Sequence, residues 1–445
     1  MTENRMGTMP VNKLLLTLSV PMVISMMVQA LYNIVDSIFV SWICEDALTA
    51  VSMAFSMQNL MISVGVGTGV GVNALLSKSL GEKEQERADI TAGNAITLGI
   101  INYLIFLVIG LTLSRKFFEW QTTDPQIIAY GEQYLRVVLI GSFALFVQIM
   151  FERLLISSGR TMYTMILQIS GAVINVIFDP ILIFGYLGFP KMGVTGAAVA
   201  TVAGQIVACT LGLIFNLTKN RDIKLTFSNL KLDRKICARI YAVGIPSIVM
   251  SAIVSVTVFC LNKIVIEFTT TAVAVLGVYI KINSIVFMPV FGLNNGMVPI
   301  VAYNYGARNK ERIKKTIRYT VYYAVGIMLL GLVLLQVMPA QLLRMFNASA
   351  EMVSIGVPAL RTVSLSFVFA GFCIVCCSVF QALGAGVKSL IVSVTRQLVI
   401  LVPAAYLLAK TGALNAVWWA YPIAEIGSLI LCTFMLRSSM KKLDF

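Results

Sequence analysis

Two aspartates in otherwise apolar stretches carry the strongest chemical signal in this sequence. Asp36 closes the run Gln29-Ala-Leu-Tyr32-Asn33-Ile-Val-Asp36, and Asp179 lies in Asn175-Val-Ile-Phe-Asp179-Pro180. On a helix, residues four apart share a face, so Tyr32 stands with Asp36, Asn175 with Asp179, and Thr201 with Gln205. Asn33, three before Asp36, is a further neighbour. Pro180 removes a backbone donor directly after Asp179, which can free a carbonyl oxygen beside that carboxylate. Two carboxylates, an amide and a hydroxyl at one depth suit a hard monovalent cation such as sodium. They equally suit a shared proton, because two carboxylates close together in low dielectric resist carrying two charges. A hydrogen-bonded cluster that merely ties helices together is the structural alternative.

The elements that must hold these residues are membrane spans. Of 445 residues, 58% are hydrophobic and 12% charged. A soluble domain carries roughly 25% charged residues, so this chain has too little polar surface to face water on all sides. Apolar runs long enough to span lie near 14–41, 47–77, 93–114, 128–151, 162–187 and 194–217, then 240–266, 272–304, 318–340, 353–380, 388–409 and 414–436. Runs of this length satisfy their backbone in hydrocarbon as helices. The expected fold is therefore all-α and polytopic, with twelve transmembrane helices. A carboxylate at such depth costs roughly 2.5–3.5 kcal/mol, which makes Asp36 and Asp179 functional candidates.

The net charge of +14 comes with a placement. Arg5 and Lys13 precede the first span, and Lys78, Lys83 and Arg87 follow the second. Arg153 and Arg160 follow the fourth. Lys219, Arg221, Lys224, Lys231, Arg234, Lys235 and Arg239 follow the sixth, and Arg308, Lys310, Arg312, Lys314, Lys315 and Arg318 the eighth. Lys388 and Arg396 follow the tenth, and Arg437, Lys441 and Lys442 the last. These are 25 of the 34 basic residues, all on one side of the membrane. Positive loops stay inside, so both termini are expected to be cytoplasmic in a cytoplasmic (inner) membrane protein. This distribution explains the basic charge without a nucleic-acid partner. The first ten residues contain no apolar run, so the first span is expected to act as an uncleaved anchor.

The chain also repeats itself. At an offset of 225 residues, Pro21 matches Pro246, Gly67 matches Gly292, Gly71 matches Gly296, Gly131 matches Gly356, Arg136 matches Arg361 and Gly159 matches Gly384. Each half holds six spans, so the halves enter the membrane in the same orientation. We expect two pseudo-symmetric six-helix bundles, 1–217 and 240–445, joined by a basic linker at 218–239, with substrate between lobes that rock. The acids do not repeat: Asp36 corresponds to Leu261, Asn175 to Ile400, Asp179 to Ala404 and Thr201 to Ala420. Residues serving only as helix glue would not be expected to vanish from a duplicate that packs without them.

Other features are weaker. Lys281 and Glu425 lie within spans and are candidates for a substrate path, together with Met53, Met57, Asn283, Phe287 and Met288; thioethers adapt to varied shapes. Gly65, Gly67, Gly69 and Gly71 suggest close helix packing rather than nucleotide binding. No phosphate-binding loop of the GxxxxGK type occurs, and there is no histidine, which removes imidazole catalysis and imidazole proton relays. Cys373, Cys376 and Cys377 have no second cysteine pair or histidine to complete a metal site. The chain is expected to be no enzyme, to need no cofactor beyond a coupling ion, and to work as a monomer among membrane lipids.

Taken together, these residues resemble the multidrug and toxic compound extrusion (MATE) family over nearly the whole chain. The resemblance rests on Pro21 with Gln29, Tyr32 and Asp36, on the paired motifs ending at Gly81 and at Gly306-Ala-Arg-Asn, on Asn175-xxx-Asp179-Pro180, and on Gly196-Ala-Ala-Val-Ala-Thr201. It implies export of cationic and amphipathic drugs in exchange for protons or sodium, with the coupling ion at Asp36, Asn175, Asp179 and Thr201. It implies a bend of the first helix at Pro21. Lys263 and Glu267, near the outer end of the seventh span, depart from the pattern of members with an acid mid-span there. The alternative is a lipid-linked oligosaccharide flippase of the same wider fold group, which favours a cationic central cavity.

Overall fold

The computed structural model describes residues 4–346 and 348–441, and these fold into helices without a strand. Lys442 lies outside the described residues. The long helices are α1 (Val11–Ser41), α2 (Glu45–Gly81), α3 (Gln85–Thr112), α4 (Pro125–Ile140), α5 (Phe143–Ser157), α6 (Thr161–Phe184) and α7 (Val194–Thr218). The second half gives α8 (Arg234–Ile266), α9 (Thr270–Gly306), α10 (Lys310–Val337), α11 (Ala350–Ser364), α12 (Phe367–Ala382), α13 (Gly386–Ala409) and α14 (Leu414–Lys441). Ten are long and apolar enough to cross a membrane alone; the pairs α4–α5 and α11–α12 complete twelve spans, bent by 45° and 50°. The bends fall at Gly141-Ser142 and Leu365-Ser366, matching places in the two halves.

Helix starts follow local chemistry. Asp124 accepts from the Gln126 and Ile127 amides at 2.8 and 3.3 Å ahead of Pro125, where a missing N–H costs nothing. Thr269, Asn309 and Ser349 cap α9, α10 and α11 in the same way. At the other end of α6, Gly185 takes a left-handed conformation (φ 78°), which only glycine adopts cheaply.

Two compact units emerge: Ile24–Gly244, and Met1–Val23 with Ile245–Phe445. Their seam differs from the linker expected at 218–239: it cuts α1 and α8 themselves. Hydrogen bonding explains why. In the first unit the segment after α7 is pinned to α3. Asn94 Nδ2 donates to the Lys231 carbonyl at 3.0 Å and its Oδ1 accepts from the Asp233 amide at 2.8 Å. Thr97 donates to the Leu230 carbonyl at 2.7 Å, and Asp89 accepts from the Lys224 amide at 2.7 Å. In the second unit, Arg312 Nη2 donates to the Met6 and Met9 carbonyls at 2.9 and 2.8 Å, and Ser19 donates to the Leu293 carbonyl at 3.1 Å.

The repeated glycines make room for these segments. A Cβ on Gly71 would run into the Ile240 carbonyl, and one on Gly296 would meet the Ser19 backbone. The packing reading of the α2 glycines therefore holds in detail. Arg153, assigned above to a loop, lies inside α5, 8% exposed, with its side chain laid across Gly69.

Candidate functional site

The site lies wholly within Ile24–Gly244 and is assembled from α1, α2, α4, α6 and α7. Its frame is the close approach of α6 and α7. Gly171 and Gly204 face each other so tightly that a Cβ on either would press on the other's carbonyl. Small residues at such a contact let two backbones come together in lipid. One turn further along, this contact brings Asn175 of α6 beside Thr201 of α7.

Asp179 is fully buried and Asn175 is 3% exposed. The Asn175 amide spans two neighbours: it lies 3.3 Å from Asp179 Oδ2 and 3.3 Å from Thr201 Oγ1, and with its nitrogen toward the carboxylate and its oxygen toward the hydroxyl it satisfies both. Thr201 Oγ1 also reaches the Ala197 carbonyl at 3.0 Å. From α1, the Asp36 carboxyl meets the Asp179 carboxyl at hydrogen-bonding distance. Tyr32, one turn earlier on the same face, lies within electrostatic range of both.

Two carboxyl groups in contact need a proton or a cation between them. Neither has an Arg or Lys ion-pair partner among the described residues. Asp36 Oδ1, Asp179 Oδ1 and Gln205 Oε1 are buried with no hydrogen-bond donor. Buried acceptors of this kind each cost about 1–3 kcal/mol when left unmatched. The arrangement is thus an oxygen-rich cluster whose chemistry suits a shared proton as well as a cation.

The structure adds two residues that sequence reasoning missed. Tyr134 of α4, 2% exposed, lies within electrostatic range of Asp36, Tyr32 and Asp179, and its hydroxyl accepts from Gln58 Nε2 of α2 at 3.2 Å. The repeat offered a signal: at the 225-residue offset Tyr134 meets Ala359, the same one-sided loss that marks Asp36. Two proposed supporters stand apart. Gln29 and Asn33 are exposed on α1. Each residue turns a helix by 100°, so Asn33, next to Tyr32, sits on the neighbouring face. Pro21 and Pro180 lie inside their helices.

The residues suggested for a substrate path are dispersed. Met53 and Met57 pack half-buried on the hydrophobic cluster of Ile24–Gly244. In the other unit, Phe287 stacks edge-on against Phe367 at 5.3 Å, Lys281 Nζ stands 6.0 Å from the Phe346 ring, and Asn283 Oδ1 is buried without a donor. Met288 is half-buried nearby on α9. Glu425 is ion-paired to Arg396 at 3.2 Å. Among the described residues no three His, Cys, Asp or Glu side chains are placed to hold a metal ion together.

Comparison with known proteins gives a consistent picture. The family model described as MatE matches twice, over residues 21–181 and 246–407, in the register of the internal repeat. The multidrug export protein MepA of Staphylococcus haemolyticus is 24% identical over 432 residues, covering 97% of this chain and 94% of its own length. MepA of Staphylococcus aureus strain NCTC 8325 is 25% identical over 424 residues, with 94% and 91% covered. A solved outward-facing multidrug resistance MATE transporter superposes with a TM-score of 0.93 at 26% identity, covering 100% of this chain and 99% of that one.

Proposed function

This chain belongs to the MATE family of membrane transporters, and from that premise we propose that it exports cationic or amphipathic drugs in exchange for protons or sodium. Its relatives are named as multidrug exporters. The observation that carries the antiport reading is the meeting of half-buried Asp36 with fully buried Asp179, which have no basic ion-pair partner among the described residues, Asp179 being bridged through Asn175 to Thr201. A proton or a sodium ion bound there neutralises a charge that the low-dielectric interior otherwise resists. The ion binds with the site open outward, disfavours the drug, and returns the transporter inward. The basic loops set both termini on the cytoplasmic side of the cytoplasmic membrane. The chain works as a monomer with no cofactor beyond the coupling ion. A flippase would want a cationic cavity, and the pairing of Arg396 to Glu425 weighs against one.

The test is reconstitution of the full chain into vesicles, with a pH gradient and a sodium gradient imposed separately. One of the two should drive uphill efflux of a cationic dye. Asp36→Asn and Asp179→Asn should each abolish that efflux at unchanged membrane insertion. Efflux that persists in both variants overturns the assignment.

A further inference from the structure

The unit Met1–Val23 with Ile245–Phe445 carries a groove of about 480 Å³ between α8 and α13, within the size range of small-ligand clefts. Phe259, Lys263 and Ile264 line it from α8, and Val402, Pro403 and Tyr406 from α13. Its walls are almost wholly apolar. The internal repeat accounts for the room. At the 225-residue offset Ile264 corresponds to Phe39 and Pro403 to Phe178, so two phenyl rings of the first half give way to smaller side chains. Helix α13 is also irregular here: a π-helical turn, Thr395–Leu401, ends one residue before the groove wall. Such turns recur at functional sites.

The rim of this groove is charged in a way that topology does not ask for. Helices α8 and α13 both start beside basic residues, Arg234 and Lys235 for one and Lys388 for the other, and the groove lies toward their opposite ends. Lys263 sits in the last turn of α8, and Lys410 directly follows α13. Lys263 Nζ stands 5.4 Å from the centre of the Phe259 ring, and Lys410 Nζ 4.7 Å from that of Tyr406. Two ammonium groups are thus held over two rings that wall the same groove. Both lysines are exposed, and neither has an ion-pair partner among the described residues. The Phe259 and Tyr406 rings are 61% and 53% exposed, and Val399 and Leu407 extend the apolar surface beside them. Exposed apolar side chains on a membrane span are matched by hydrocarbon rather than water.

An apolar trough ending at two unpaired cations matches an amphiphile with a hydrocarbon chain and an anionic head. We propose that the groove seats an acyl chain of an anionic phospholipid, with its phosphate between Lys263 and Lys410. The chain lies along Phe259, Ile264 and Pro403. The Tyr406 ring stands where chain gives way to headgroup, the depth at which tyrosines of membrane proteins collect. The lysine stems follow the groove wall while their ammonium groups reach the phosphate. A zwitterionic lipid offers the same chain, but its choline offsets the phosphate charge, so the lysines favour the anionic head. A free phosphate ion has no chain to seat. The site is separate from the aspartate pair and does not rest on the export reading.

The experiment is photocrosslinking of the full chain in phosphatidylcholine vesicles doped with one of two probes, phosphatidylglycerol or phosphatidylcholine, each carrying a diazirine in its acyl chain. Peptide mapping reads the label at 259–264 and 402–406. The anionic probe should label these segments about tenfold more than the zwitterionic one, since each basic residue near a lipid surface contributes about fivefold. Lys263→Ala with Lys410→Ala should bring the two probes within about twofold of each other, while Lys263→Arg with Lys410→Arg should keep the preference. Both lysines are exposed at helix ends, so these variants leave the packing of the unit intact. Ile264→Phe, which supplies the ring found at Phe39 in the first half, should lower labelling by both probes. Inorganic phosphate at matched ionic strength should displace neither. The proposal fails if the two probes label the unaltered chain equally, if the double alanine variant keeps the preference, or if Ile264→Phe leaves the label unchanged. Displacement of the anionic probe by inorganic phosphate would overturn it as well.

Discussion

Replacing Thr201 by alanine separates a peripheral ligand from the charge-bearing centre of the coupling site. The Thr201 hydroxyl offers one contact to the cluster, the 3.3 Å approach to the Asn175 amide, and one to its own helix, the 3.0 Å approach to the Ala197 carbonyl. Alanine keeps the helix and the close α6–α7 contact at Gly171 and Gly204, since it is smaller than threonine and a better helix former. What is lost is one neutral hydrogen bond, or one neutral oxygen ligand to a bound ion, worth about 0.5–1.5 kcal/mol. At about 1.4 kcal/mol per factor of ten, the ion concentration for half-maximal dye efflux should rise by about two- to tenfold. The maximal rate should stay near that of the unaltered chain, because both carboxylates remain. The assay is dye efflux from proteoliposomes titrated with the driving ion. An unchanged half-maximal concentration would show that Thr201 is no part of the site. Complete loss of efflux, equal to that of Asp36→Asn, would refute the division of labour proposed here.

Three further outcomes are expected. Gly71→Ala pushes a methyl group against the Ile240 carbonyl, and should cost about 1–3 kcal/mol, read as a lower thermal midpoint in detergent. Asn94→Ala removes the bonds to the Asp233 amide and the Lys231 carbonyl, and should raise the rate of proteolysis between Lys219 and Asp233 without altering the helix content seen by circular dichroism. Tyr134→Phe keeps the ring but removes the hydroxyl bonded to Gln58, and should shift the half-maximal ion concentration by less than Thr201→Ala does, since no bridge to Asn175 is lost.

Much of this molecule is legible in its sequence because the deciding physics is local or periodic. A lipid-facing helix needs a long apolar run, and the duplicated register shows as repeated glycines at a fixed spacing. Asp36 and Asp179 stand out because charge at depth is costly wherever the fold places it. The unread parts depend on contacts between distant segments. The bends at Gly141 and Leu365 lie inside apolar runs that hydropathy alone cannot divide. Tyr134 looks like an ordinary interfacial tyrosine until α4 turns it toward Asp36. Arg396 is counted as a loop residue by its position after the tenth span, yet it lies within α13 and finds Glu425, 29 positions on. Helix α8 begins at Arg234, earlier than its apolar stretch, because that start packs against α2 in place of solvent.

The placement of the seam within α1 and α8 bears on how such a chain arose. The opening turns of each half belong structurally to the body built mainly by the other half. A single ancestral half would therefore have been unfinished alone, its glycine-lined α2 surface waiting for a neighbour's leading helix. Two identical copies could finish one another by trading those leading segments, as swapped dimers do. Fusion into one polypeptide would then fix the partnership permanently, and free one copy to shed its acids while its twin kept them.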